Sequence, residues 1–181
     1  MSFIQKTLVS AIKTSLRGIE CIDECQLGVF ESNYGRTHKK PRRADLYAKT
    51  SEMYYVTQDT VFEIQGAQHY DPKAMQALSR NAPGWKNKFY DTVLRDRWAE
   101  KLLKEKEILL IRILPPPFNG NKEDYEKQIM DLAHTIKKVD YLPHIINKAN
   151  EKGAHGVEID YLGNTRYFIN RNMTTPKLKI D

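Results

Sequence analysis

The chain has 181 residues, 40% hydrophobic and 29% charged, with 29 basic and 23 acidic side chains giving a net charge of +6. That size and apolar fraction suit one soluble domain with an ordinary core, and no apolar run approaches the roughly 20 residues of a membrane-spanning helix. The N-terminus lacks an apolar block followed by a small-residue cleavage site, which argues against a secretory leader, and the basic surplus favours a polyanionic partner.

In chain order, Phe3, Ile4, Leu8, Ala11, Ile12 and Leu16 recur with a 3.6-residue period, predicting an amphipathic helix over Ser2–Leu16 that stops near Gly18. Residues Glu20–Tyr34 show no clear period. They hold both cysteines, Cys21 and Cys25, too few for a disulfide framework. Even with His38 as a third ligand the spacing is unlike known zinc sites, so two reduced thiols in a cytoplasmic protein are expected. Arg36–Arg43 places five Arg or Lys in eight residues around Pro41, which predicts an exposed loop. Arg43–Ala48 reads as a strand with Asp45 near its start, and Thr50–Asp59 as a polar turn or hairpin rise. Thr60–Gln65 alternates as a second strand closed by Gly66, with Val61, Glu63 and Gln65 on one face and Phe62 and Ile64 on the other.

A short helix over Asp71–Ala82 precedes the Ala82-Pro83-Gly84 break, and a longer one follows over Asn87–Lys106. Glu107–Leu114 has the length and apolar continuity of a buried strand, interrupted by Arg112 and ended by three prolines. Glu123–Val139 predicts a helix, His144–Glu151 a weaker one, and Gly156–Tyr161 with Thr165–Ile169 a terminal hairpin. The order predicts a mixed α/β domain with a core over residues 1–114 and a helical and β-hairpin extension of the same domain over 115–181.

Chemistry concentrates at the strand ends. If the strands carrying Asp45 and Glu63 pair, two carboxylates converge, and such a pair repels unless a cation lies between them. Mg²⁺ (or Mn²⁺) is held by one or two carboxylates together with waters and phosphate oxygens. The basic loop Arg36, Lys39, Lys40, Arg42 and Arg43 beside them would neutralise approaching phosphates. His69, three residues past Gly66, would then orient or deprotonate a water. Taken singly, Asp45 also fits a surface ion pair, Trp85 a packed helix start and Lys88 a solvated cation. Asp91 and Asp96 lie about 140° apart on a helix and cannot share a site, and Asp96 is preferred. Glu100 follows Asp96 by one turn and would equally well pair with Lys104.

Arg43-Ala44-Asp45, Gln65-Gly66-x-x-His69, Trp85-x-x-Lys88 and Arg95-Asp96-Arg97 on a helix feeding the strand Ile108–Ile113 together resemble the very-short-patch mismatch repair endonucleases of the PD-(D/E)xK nuclease superfamily. The resemblance spans Arg43–Leu114 and implies a restriction-endonuclease-like fold, a mixed central sheet flanked by helices. It implies that Asp45 and the Ile64 carbonyl bind the metal, that His69 acts near the attacking water or scissile phosphate, that Asp96 orients His69, and that Trp85 and Lys88 lie near nucleic acid. Glu63-Ile64-Gln65 falls at the superfamily's (D/E)xK, with Gln65 in place of the lysine. Ala44 replaces the family's proline, Ala67-Gln68 stands where it has a Phe-Trp wedge, and its zinc ligands are missing, so mismatch recognition is not implied. Relatives carry an acid on the N-terminal helix; residues 1–18 have none, leaving Glu20, Glu24 or Glu31 as substitutes. The expected function is a metal-dependent DNA endonuclease, monomeric or homodimeric, with no membrane partner. The alternatives are a nucleic-acid-binding protein on an inactive nuclease fold and an RNA-processing nuclease.

Overall fold

Six short strands form one open, mixed sheet in sequence order in a computed structural model that describes residues 2–30, 43–50, 56 and 58–173. They are β1 (Cys21–Asp23), β2 (Leu46–Ala48), β3 (Thr60–Ile64), β4 (Leu109–Ile113), β5 (Gly156–Ile159) and β6 (Thr165–Phe168). β3, β4 and β5 run parallel to one another, and the remaining neighbours are antiparallel. The helices are α1 (Phe3–Ser15), α2 (Pro72–Leu78), α3 (Trp85–Glu105), α4 (Lys122–Lys137) and α5 (Tyr141–Lys152). Most of the expected basic loop (Arg36, Lys39, Lys40, Arg42), together with His38 and Glu31, lies outside the described residues. Among the described residues, no helix is long and apolar enough to cross a membrane.

The period-2 pattern of β3 and β4 distributes side chains to two cores. Phe62, Leu109, Ile111 and Ile113 pack with Leu8 and Ile12 of α1, Leu132 and Ile136 of α4, and Ile146 of α5. Val61 and Leu110 point the other way, onto Ala99, Leu102 and Leu103 of α3. A strand covered by helices on both faces must be apolar on both, which is why Ile108–Leu114 carries no alternation. Arg112 is the exception, and it falls on the α3 face with Glu63.

Local chemistry sets the element ends. Ser2 caps α1 through a reciprocal capping box with Gln5, and Asn121 caps α4 through the Asp124 N–H. α5 begins at Tyr141, three residues before the expected start. Pro143 is tolerated in its first turn, where backbone donors have no intrahelical acceptor, and the Leu142 N–H is satisfied by Ser15 Oγ at 3.3 Å. Gly153, at φ 67°, ends it in the left-handed conformation. The aperiodic stretch after Gly18 forms the edge strand β1 and a 3-10 turn over Leu27–Phe30, with both thiols free.

Candidate active site

β3 is followed directly by a 3-10 turn, Ala67–His69, in which the His69 N–H donates to the Gly66 carbonyl at 3.1 Å. The turn delivers the imidazole to α3, where His69 Nδ1 lies 2.9 Å from Asp96 Oδ2. The Asp96 side chain is 2% exposed and the His69 side chain 20%, so the pair has a buried carboxylate behind an accessible ring. With Asp96 ionised and the ring neutral, Nδ1 donates to the carboxylate and Nε2 is the acceptor. The structure thus brings together the two residues expected to act as a unit.

Strand register builds a second feature beneath them. Glu63 is opposite Arg112, Arg112 opposite Glu158, and Glu158 opposite Arg166. Residues in register share a face, so one row of alternating charge crosses β3 to β6. Arg112 Nε lies 3.4 Å from Glu63 Oε2, with both side chains 3% exposed, and Arg112 Nη2 donates to the Asp96 carbonyl at 3.2 Å. Gln65 Nε2 donates to the same Glu63 oxygen at 3.1 Å. Arg112 therefore fastens β4 both to Glu63 and to the backbone under the His69–Asp96 pair. Burial pushes the Glu158 carboxyl above its ordinary range, against the pull of Arg166 and Arg112.

A cavity of about 320 Å³ opens over this row at the carboxyl ends of the parallel strands. Gln65, His69, Asp96, Arg112, Glu158, Arg166 and Arg171 are among the residues that line it. Ligands of open α/β sheets bind in this position, because the strand ends expose side chains of several elements to one crevice.

The expected metal ligands are arranged differently from the sequence expectation. Asp45, one residue before β2, accepts the Ile64 N–H at 2.7 Å through Oδ2 and the Gln5 amide at 2.9 Å through Oδ1. Asp45 is thereby tied to α1, whereas Glu63 is tied through Arg112 to the backbone of α3. Glu63 already has a buried guanidinium as its counter-charge, and among the described residues no group of three or more His, Cys, Asp and Glu side chains is arranged to hold an ion. Glu63 would have to exchange this guanidinium for an ion to complete the two-carboxylate cage, so a narrower donor set is the one these residues offer. Gln65 N–H points to β4, bonding the Ile113 carbonyl, while Ile64 N–H points to β2. By strand alternation the Ile64 carbonyl is on the Asp45 side, giving one carboxylate and one carbonyl on a single edge. Such a set suits Mg²⁺ that keeps most of its waters.

The other expected contact residues are dispersed. Trp85 packs half-buried at the start of α3 against Met75, Phe89 and Val93, Lys88 is solvated, and Arg43 is exposed, bridged to Gln26. Asp91 is exposed and Asp96 buried, as the helix geometry requires. Glu100 turns inward: its Oε1 lies 3.1 Å from His155 Nε2 and accepts the Met173 N–H at 2.6 Å. Gln5, Arg112, Glu158, Arg166 and Arg171 escaped the sequence reading. Arg112, a cation inside an apolar strand, is the signal that would have exposed the row. Comparison of the chain with protein-family models, with curated proteins and with solved structures finds no match.

Proposed function

We propose that this chain is a phosphodiesterase acting on nucleic acid, a DNA endonuclease on a restriction-endonuclease-like sheet. The observation that carries the reading is the buried Asp96 holding His69 at the wall of an arginine-lined cavity. His69 Nε2 accepts a proton from the attacking water, and Asp96 keeps the ring in the required tautomer and stabilises the imidazolium that results. Asp45 and the Ile64 carbonyl would hold Mg²⁺ or Mn²⁺, which when bound polarises the phosphate and lowers the pKa of water. Glu63 and Gln65 are assigned a supporting part, neutralising and bracing Arg112.

The test is conversion of supercoiled plasmid to nicked or linear product with Mg²⁺ or Mn²⁺, with single-stranded DNA and RNA as parallel substrates. Cleavage is expected, and Asp45→Asn is expected to abolish it while retaining binding; the asparagine can still accept hydrogen bonds but loses the anionic ligand. Preference for RNA would move the substrate class. A second reading, a non-cutting nucleic-acid binder, is favoured by the Glu63–Arg112 pair, which removes one acid from metal binding. Binding without cleavage of any substrate form would establish it.

A further inference from the structure

We propose that Arg166 and Arg171 form a phosphate-binding subsite beside His69, taking a phosphate group of the nucleic-acid strand adjacent to the one cleaved. The identity of the strand rests on the nuclease reading; the binding of phosphate does not. Both guanidinium groups gather on one buried ring: Arg166 Cζ lies 5.7 Å and Arg171 Cζ 4.8 Å from the centroid of Phe168. An aromatic face steadies a guanidinium without consuming its hydrogen-bond donors, which stay able to bond phosphate oxygens in pairs.

The charges of the cavity's three arginines are used differently. Arg112 is buried and neutralised by Glu63. Arg166 meets Glu158 at 3.8 Å with its own side chain 59% exposed, a contact of little strength. Arg171 is exposed, and among the described residues no carboxylate pairs with it. Glu158 opposes an anion, but Arg112 and Arg166 flank it in the same row.

The segment bearing Arg171 is also held in place. Two residues on, Met173 N–H donates to buried Glu100 at 2.6 Å, and the Met173 sulfur rests on Gly156, where any side chain would overlap it. Fixing the backbone this close to Arg171 lowers the ordering cost of binding.

The experiment is calorimetric titration with thymidine 3′,5′-bisphosphate, a short single-stranded oligonucleotide and inorganic phosphate. It compares the wild-type chain with Arg171→Ala, Arg171→Lys and Arg166→Ala/Arg171→Ala. Lys122→Ala, which removes a charge 82% exposed on α4, controls for net charge. The bisphosphate should bind wild type. Arg171→Ala should weaken it about tenfold or more, the size of a lost charged hydrogen bond, and Arg171→Lys should weaken it less. The salt slope of oligonucleotide binding should fall by about 0.7 for each arginine removed. Unchanged affinity in Arg171→Ala, an equal loss in Lys122→Ala, or no binding of the bisphosphate to wild type would overturn the subsite. Equal affinity for inorganic phosphate and oligonucleotide would overturn its assignment to a strand. Arg171-dependent binding in a chain that cuts nothing would refute the nuclease reading and leave the subsite standing.

Discussion

Two histidine–carboxylate pairs lie one helical turn apart on the same helix, and they are built for different ends. Asp96 holds His69 at 2.9 Å, and Glu100 holds His155 at 3.1 Å. Both acids are buried. The difference is what covers the imidazole. His69 sits on a turn at the cavity wall with a fifth of its side chain exposed, whereas the His155 side chain is 8% exposed. Among the described residues, the remaining His155 nitrogen, Nδ1, is buried without a hydrogen-bond partner. Glu100 also accepts the Met173 N–H, so the second pair staples the segment after β6 to α3. The same two functional groups leave a ring open to the cavity where solvent reaches it and form a clasp where it does not.

Substitutions can break this contrast. The largest effect is expected from His69→Ala, which should lower the rate of plasmid cleavage by about 10²–10⁴-fold, the usual worth of a general base. Its unfolding free energy should fall by less than that of His155→Ala, because the ring is partly exposed and water can reach the space it leaves. His155→Ala should do the reverse, leaving the rate within severalfold and lowering the urea midpoint. Next comes Glu100→Ala, which strands a buried imidazole and a buried backbone donor together and should cost about 3 kcal/mol in urea unfolding. Asp96→Asn keeps the shape but permits the wrong tautomer, and should slow cleavage by about 10–100-fold in single-turnover kinetics.

The smallest effect concerns Glu158. Burial raises its carboxyl, so the folded state holds the proton more tightly than the unfolded chain does. This contribution is fully present below the ordinary glutamate value of 4.5 and is lost as pH rises through the raised one. Glu158→Gln should flatten that decline, by less than about 1 kcal/mol, since a fifth of the side chain is exposed. Urea unfolding across a pH series would show it.

Local pattern carried much of this molecule. The 3.6-residue period located α1 and α3, alternation placed Glu63 and Gln65 on one face of β3, and Gly-Asn after Leu162 marked the turn of the terminal hairpin. The His69–Asp96 pair was legible because motif order supplied what spacing could not, namely that two residues 27 positions apart converge. What stayed hidden depends on register between strands distant in sequence. Nothing near Arg112 announces Glu63, 49 positions away, and nothing near Arg166 or Arg171 announces His69, about 100 positions earlier. The convergence of Asp45 and Glu63 on one ion was the natural inference from two acids on neighbouring strands. It left out a cation on the neighbouring strand β4, Arg112, that lies against Glu63, and the amide of Gln5 that reaches Asp45.

The most direct measurement is the rate of nicking of supercoiled plasmid in Mg²⁺ by His69→Ala and His155→Ala, run beside wild type with binding monitored on the same DNA. If the cavity-facing pair is catalytic and the covered pair a clasp, His69→Ala binds normally and loses at least a hundredfold in rate, while His155→Ala retains cleavage at temperatures where it remains folded. Equal rates in wild type and His69→Ala, or an equal loss in both variants, would contradict the account.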